Sequence, residues 1–160
     1  MVSSVLKWKI INFFETTRHK GWVAWYLFWA CFALFRRAIV HDLSKYSKLE
    51  APYFETALPK LRLKNLEYGS DEYKVAVASL GPALYHHYRV NSHHPEYWNG
   101  NIDAMSPLDL IEMLCDWKAA GKRYITGNMA QSLKVNRERF KAQYWFHDAL
   151  ERDAKEIGLL

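Results

Sequence analysis

His41 and Asp42 place an imidazole and a carboxylate on consecutive residues, one nitrogen and one oxygen donor able to reach the same metal ion. The Asp42 carboxylate can also bridge to a second ion. Lys45, three positions on, brings an ammonium within one helical turn and suits a phosphate. The other histidines sharpen the pattern: His19 lies upstream, His86, His87, His93 and His94 cluster downstream, and Asp116 follows. Imidazole and carboxylate sets of this kind bind first-row divalent metals.

Each candidate has a rival reading. Glu15 and His19 are four apart and share one helix face. They are either a surface pair, or a ligand (His19) with Glu15 as a further ligand or as support for the imidazole. His41 and Asp42 follow the apolar run Ala38-Ile39-Val40, where a carboxylate needs a cation or an arginine such as Arg36 or Arg37. His87, Asn91 and His94 fall on one face if the helix persists, and Pro95 turns the chain just beyond His93 and His94. His86 faces away from His87 and reads as a packing or surface residue. Asp109, Glu112 and Asp116 form one helical stripe. Asp109 and Glu112 fit a solvated face, whereas Asp116, inside Leu114-Cys115-Asp116-Trp117, calls for a cation. The second pair, His147-Asp148, has no histidine cluster after it and reads as structural.

The elements that must position these groups are helical. Half of the 160 residues are apolar and 16% aromatic, enough for one domain with a buried core. Cys31 and Cys115 each sit in an apolar run and read as buried thiols of a reducing compartment. With no signal-peptide order at the N-terminus, a cytoplasmic location is the expectation. A net charge of +5 favours anionic partners, but the basic residues are dispersed along the chain. The basic, aromatic-rich stretch 134–146 fits an amphipathic surface helix better than a nucleic-acid contact. Residues 22–35 carry no charge. The run is shorter than the ~20 residues of a membrane span and lies between two candidate ligands, so it reads as a buried core helix, with an interfacial anchor, and after it a full span, as the alternatives.

A first helix is expected from Ser3 or Ser4 toward Phe35, with Gly21 a weak point, then a short helix over Ala38–Lys45. Ser47 and Glu50 have capping-box spacing, and Pro52 fits a first turn. Residues 59–70 form a basic connection. A helix from Ser70 to about Asn91 is disturbed at Gly81-Pro82. Ser106, Pro107 and Asp109 make the clearest helix start. A last helix spans roughly 133–157, and Gly158 stops it. The fold class is all-α, a single helical-bundle domain over residues 1–160.

The order His19, His41-Asp42, Asp116 resembles the HD-domain superfamily of metal-dependent phosphohydrolases, an all-α fold. Histidines between the His-Asp pair and the last Asp are similar to its two-metal and three-metal branches, among them the HD-GYP phosphodiesterases. Matching positions would be Glu15, His19, His41, Asp42, Lys45, His87, His93, His94 and Asp116. Ser44 stands where that branch has Gly, Pro95 separates the His pair from Glu96, and no Gly-Tyr-Pro follows. The blocks HDLSKYS, HHYRVNSHHPEYW and IEMLCDW look more like a small uncharacterised HD-like family of phages and bacteria.

The resemblance implies one to three divalent ions (Mn, Fe, Zn, Co or Ni) and a metal-activated water attacking a phosphate ester, in a nucleotide or cyclic nucleotide. Asp42 and Lys45 are its expected catalytic residues, with Lys45, Arg89 and Asn91 on the substrate. Tyr97 and Trp98 read as core aromatics or as a base-stacking pair. Two alternatives stand beside hydrolysis: a di-iron oxygenase on the same ligands, and a non-catalytic metal-stabilised module binding a nucleotide or a protein. An oligomer is compatible with all three.

Overall fold

In the computed structural model the described residues are 4–63, 70–122, 127–140 and 143–160. Among them every regular element is helical and none is a strand, so the all-α expectation holds. The chain divides into two compact units, Met1–His41 and Asp42–Leu160.

The first unit is one helix, α1, Ser4–Val40. It runs through Gly21 and past Phe35, joining what the sequence divides into two helices. At 1.5 Å per residue it is about 55 Å long. It buries none of its residues, so residues 22–35 are not a core helix. Cys31 is exposed, as is Cys115 in the second unit, so neither is the buried thiol expected.

The second unit begins at Asp42, whose φ of 57° places it in the left-handed region, one that Asp visits more readily than most residues. A 3-10 turn, Leu43–Tyr46, replaces the short helix expected there. Helix α2 covers Ala51–Leu63, with Pro52 in its first turn, where no intrahelical amide bond is lost. It contains the first part of the expected basic connection; 64–69 lie outside the described residues. The expected helix 70–91 is two helices, α3 (Asp71–Ala78) and α4 (Gly81–Val90). Ser70 caps α3, its Oγ accepting from Tyr73 N at 3.1 Å. Gly81, at φ +46°, makes the break that the Gly-Pro pair foreshadows.

Beyond α4, 3-10 turns at Pro95–Trp98 and Ile102–Ala104 lead into α5, Pro107–Gly121. The start of α5 falls where Ser106, Pro107 and Asp109 place it and is a full capping box: Ser106 Oγ accepts from Asp109 N, and the Asp109 carboxylate accepts from Ser106 N, each at 3.2 Å. The expected final helix is divided into α6 (Met129–Arg139) and α7 (Tyr144–Glu156). Ile102, Met113, Leu114, Trp117, Met129, Phe140 and Leu150 form the core of this unit. Trp117 and Phe140 stack within it, 6.5 Å apart. One edge of α5 is thereby held against the core, and its acidic stripe is left to face the histidine loop.

Candidate metal centre

Four elements of the second unit converge on one buried polar cluster: the Asp42 turn, the N-terminal edge of α2, the end of α4 with the loop 91–94, and the acidic stripe of α5. His87 is in the last turn of α4 and almost fully buried. The helix stops at Val90, and Asn91 adopts an extended conformation. Asn91 Nδ2 donates to the His87 carbonyl at 2.8 Å and to Ser44 Oγ at 2.8 Å. Its side chain therefore secures the turn. The turn folds His94 back so that its Nε2 lies 2.9 Å from His87 Nε2. Pro95 then opens the next turn, and Trp98 Nε1 donates to the Ser92 carbonyl at 2.8 Å, pinning the loop from behind.

The stripe on α5 meets that loop residue by residue. Ser92 Oγ donates to Asp109 at 2.6 Å. His93 Nδ1 faces Glu112 Oε1 at 3.2 Å. Asp116 bears electrostatically on His94. Glu112, which spacing alone assigns to a solvated face, thus orients a histidine, and Asp109 is a buried cap residue rather than a solvated one.

Glu50 is a second residue that the sequence obscures. Ser47 Oγ accepts from Glu50 N at 3.3 Å, half of the anticipated capping box. The Glu50 carboxylate instead turns inward and is completely buried. It lies 2.6 Å from His86 Nδ1, 3.0 Å from His87 Nδ1, and accepts from Ser44 Oγ at 3.1 Å. His86, half-exposed, is a support of this carboxylate.

These carboxylates favour one tautomer of each ring. A carboxylate only accepts, so Glu50 favours the proton on His87 Nδ1, where Ser44 Oγ (3.0 Å) and Asn91 Nδ2 (3.1 Å) also lie, and Glu112 favours it on His93 Nδ1. The Nε2 lone pairs of both rings then point toward Asp42 Oδ1, at 3.3 Å from His87 and 3.4 Å from His93. Asp42 divides its oxygens: Oδ1 toward the imidazoles, Oδ2 toward the Lys45 ammonium, which also lies over the Phe54 ring. Burial, and then the neighbouring His93 and His87, push the His94 imidazole down to about 3, so it is held neutral. Burial likewise raises Glu96, against the pull of Arg139, its ion-pair partner.

Donor atoms of Asp42, His87, His93 and His94 lie within 4.8 Å of one another and could hold a metal ion. Two ligands ~2.1 Å from one ion, at angles between octahedral and tetrahedral, stand about 3.0–3.4 Å apart. The separations of 2.9, 3.3 and 3.4 Å lie in or close to that range. Asp116 brings a carboxylate oxygen within 4.8 Å of Asp42. His41, the last residue of the first unit, is joined to Asp42 by one peptide bond.

The chain matches a family of unknown function, DUF5662, over residues 9–157. It belongs to that family. No curated protein and no solved structure matches it.

In this DUF5662 member three expected site residues lie elsewhere. His19 is exposed on α1, separated from Val40 by about 32 Å of continuous helix, too far to share an ion with Asp42. Glu15 is likewise exposed and pairs with Arg18 at 2.6 Å. Arg89, two residues past His87, is on the outer side of α4, where it donates to Tyr85 Oη at 2.7 Å. His147 is buried with Nε2 3.3 Å from the Phe140 carbonyl, and Asp148 faces Arg137 at 3.7 Å, the structural pair expected. In the stretch 134–146, Arg137 and Arg139 are engaged by Asp148 and Glu96. Trp98 packs on the core, and Tyr97 is exposed.

Proposed function

We propose that Asp42, His87, His93 and His94 bind a divalent metal ion and that the protein uses it to hydrolyse a phosphate ester, most simply that of a nucleotide. One observation carries the metal: two imidazole lone pairs, their tautomers favoured by Glu50 and Glu112, converge on a carboxylate oxygen that has no proton to give. Acceptors facing acceptors repel, and a cation between them removes the repulsion. His41 enters the ligand set by its adjacency to Asp42. Asp116 is the group beside which a second ion would be held. Three imidazoles against one carboxylate favour manganese, iron, zinc, cobalt or nickel over calcium and magnesium.

A divalent ion at such a site supplies Lewis acidity and brings the pKa of a water to about 7. The protein's own groups do the rest. Glu50 and Glu112 hold the Nδ1 protons and keep the rings aimed. Lys45 sets an ammonium beside Asp42, partly open to solvent, where it can neutralise a non-bridging phosphate oxygen. The HD-like order of His41-Asp42 and Asp116, with histidines between them, supports the phosphoryl reading, although His19 does not take part.

Elemental analysis of protein purified without chelator or metal-binding tag tests the first half, and a phosphate-release screen across nucleotides tests the second. We expect a stoichiometric transition metal and metal-dependent release that Asp42→Ala abolishes. Folded, metal-free protein would overturn the centre. Metal-loaded protein that consumes oxygen, or that binds nucleotides without turnover, would overturn the hydrolase reading and leave the centre standing.

A further inference from the structure

We propose that α1 is a membrane-spanning anchor, inserting residues 21–40 across a lipid bilayer. Sequence alone argues against this on two counts: the uncharged run is short, and it lies between two candidate ligands. The structure changes both: the apolar Ala38-Ile39-Val40 turn continues the helix past Arg36 and Arg37. Helix α1 continues without a break to Val40, and His19 is not part of the metal centre. From residue 21 to residue 40 the helix extends about 30 Å, which equals the ~30 Å hydrocarbon thickness of a bilayer. By length and composition it is sufficient to cross one.

Four possible coverings compete for this surface, and the side chains choose among them. A protein core is excluded within its own unit, where α1 buries nothing. A second copy of the chain, packed as a coiled coil, covers one stripe of a helix. Here Leu27, Phe28 and Trp29 are consecutive and point about 100° apart, and their exposures are 61%, 58% and 49%. A seam through any one of them leaves the others in water. A helix lying flat in the headgroup region needs a polar face, and residues 22–35 have none. Only an acyl-chain environment wets the whole circumference.

The ends carry the matching charge. Arg18 and Lys20 precede the run, and Arg36 and Arg37 close it. The single acid of α1, Glu15, is engaged by Arg18. Cations thus stand at both ends, where lipid phosphates would lie, and Arg36 and Arg37, within the last turn, can extend their guanidinium groups to that level. Trp22, Trp25 and Tyr26 sit just inside the first basic pair, as interfacial aromatics do.

The test uses the full chain, purified in detergent and mixed with vesicles of equal parts phosphatidylcholine and phosphatidylglycerol. After detergent removal and an alkaline carbonate wash, it should float with the vesicles. Phe28→Asp, at the middle of the run, should lower the bound-to-free ratio about 100-fold. Val75→Asp, also exposed but on α3, should leave the ratio unchanged. Circular dichroism confirms that both variants remain helical; an unfolded F28D chain is replaced by Ala24→Asp, with the same expectation. A chain released by carbonate is peripheral and overturns the span. So does a detergent-free soluble oligomer that ignores vesicles, or an F28D chain that still floats. None of these readouts depends on metal or turnover.

Discussion

Two Glu–His pairs, one in each unit, behave differently in the structure. Glu15 and His19 are one turn apart on α1. There Glu15 reaches Arg18 rather than the histidine, and His19 stays on the exposed surface. Glu112 and His93 come from α5 and the loop after α4, and their side chains meet at 3.2 Å in a buried setting. Shared spacing on one helix places two side chains on one face but gives them nothing to converge on. A metal centre requires a second element facing the first, with the desolvation that makes an aimed lone pair costly unless it is met.

The same contrast applies to the two units as wholes. The second buries Glu50, His87, His93 and Asp109 and arranges partners for them. The first carries large apolar side chains and buries none of them.

The largest effect should come from Asp42, toward which the two oriented imidazoles point. Asp42→Ala should remove the bound metal, lowering affinity by more than about 100-fold, beyond what loss of an outer partner costs. Turnover should vanish with it. Elemental analysis and phosphate release measure both; a variant that retains stoichiometric metal would move the centre away from this turn.

What could be read in advance follows the range of the interactions. Helix starts were legible at Ser70 and at Ser106-Pro107-Asp109 because caps are local chemistry, and so was the break at Gly81-Pro82. The gathering of His87, His93 and His94 was legible because Pro95 forces a turn beside them. Glu50 and Glu112 were hidden for a different reason. A carboxylate on a mixed stripe has the pattern of a solvated face until the opposite element is known. Capping-box spacing gave Glu50 a sufficient local explanation, and its contact with His87 spans 37 positions. Helix α1 carries the composition of a core helix but buries none of its residues, and burial is not local.

The next effects should come from these two carboxylates. Glu112→Gln and Glu50→Gln each preserve shape and an acceptor oxygen but weaken the hold on a histidine Nδ1 proton. Each should cost about 10- to 100-fold in metal affinity, as outer partners of metal-bound histidines do. Glu50→Ala should add a loss of about 1–3 kcal/mol in unfolding free energy, because it strips the buried His87 and Ser44 of a partner. Titration with a chelator and denaturant unfolding separate the two. Equal affinities for wild type and both Gln variants would reduce the carboxylates to packing.

Lys45→Ala should act on rate alone. Its ammonium pairs with Asp42 Oδ2, the oxygen turned away from the imidazoles, so metal content should persist. Removing a positive charge that meets developing phosphate charge should lower kcat about 100-fold. If KM rises and kcat is unchanged, Lys45 binds the ground state only.

The smallest effect should be that of His19→Ala, and it bears most directly on the contrast between the two units. His19 stands first in the order of ligands that the HD-like pattern suggests, so that pattern alone predicts loss of metal. The helix predicts the opposite, because about 32 Å of unbroken backbone lies between His19 and Val40. Its exposed ring has no packing to lose, so stability should change by no more than about 0.5 kcal/mol. Metal stoichiometry and phosphate release should match wild type. Should His19→Ala instead empty the centre, α1 would have to bend sharply between residues 19 and 41.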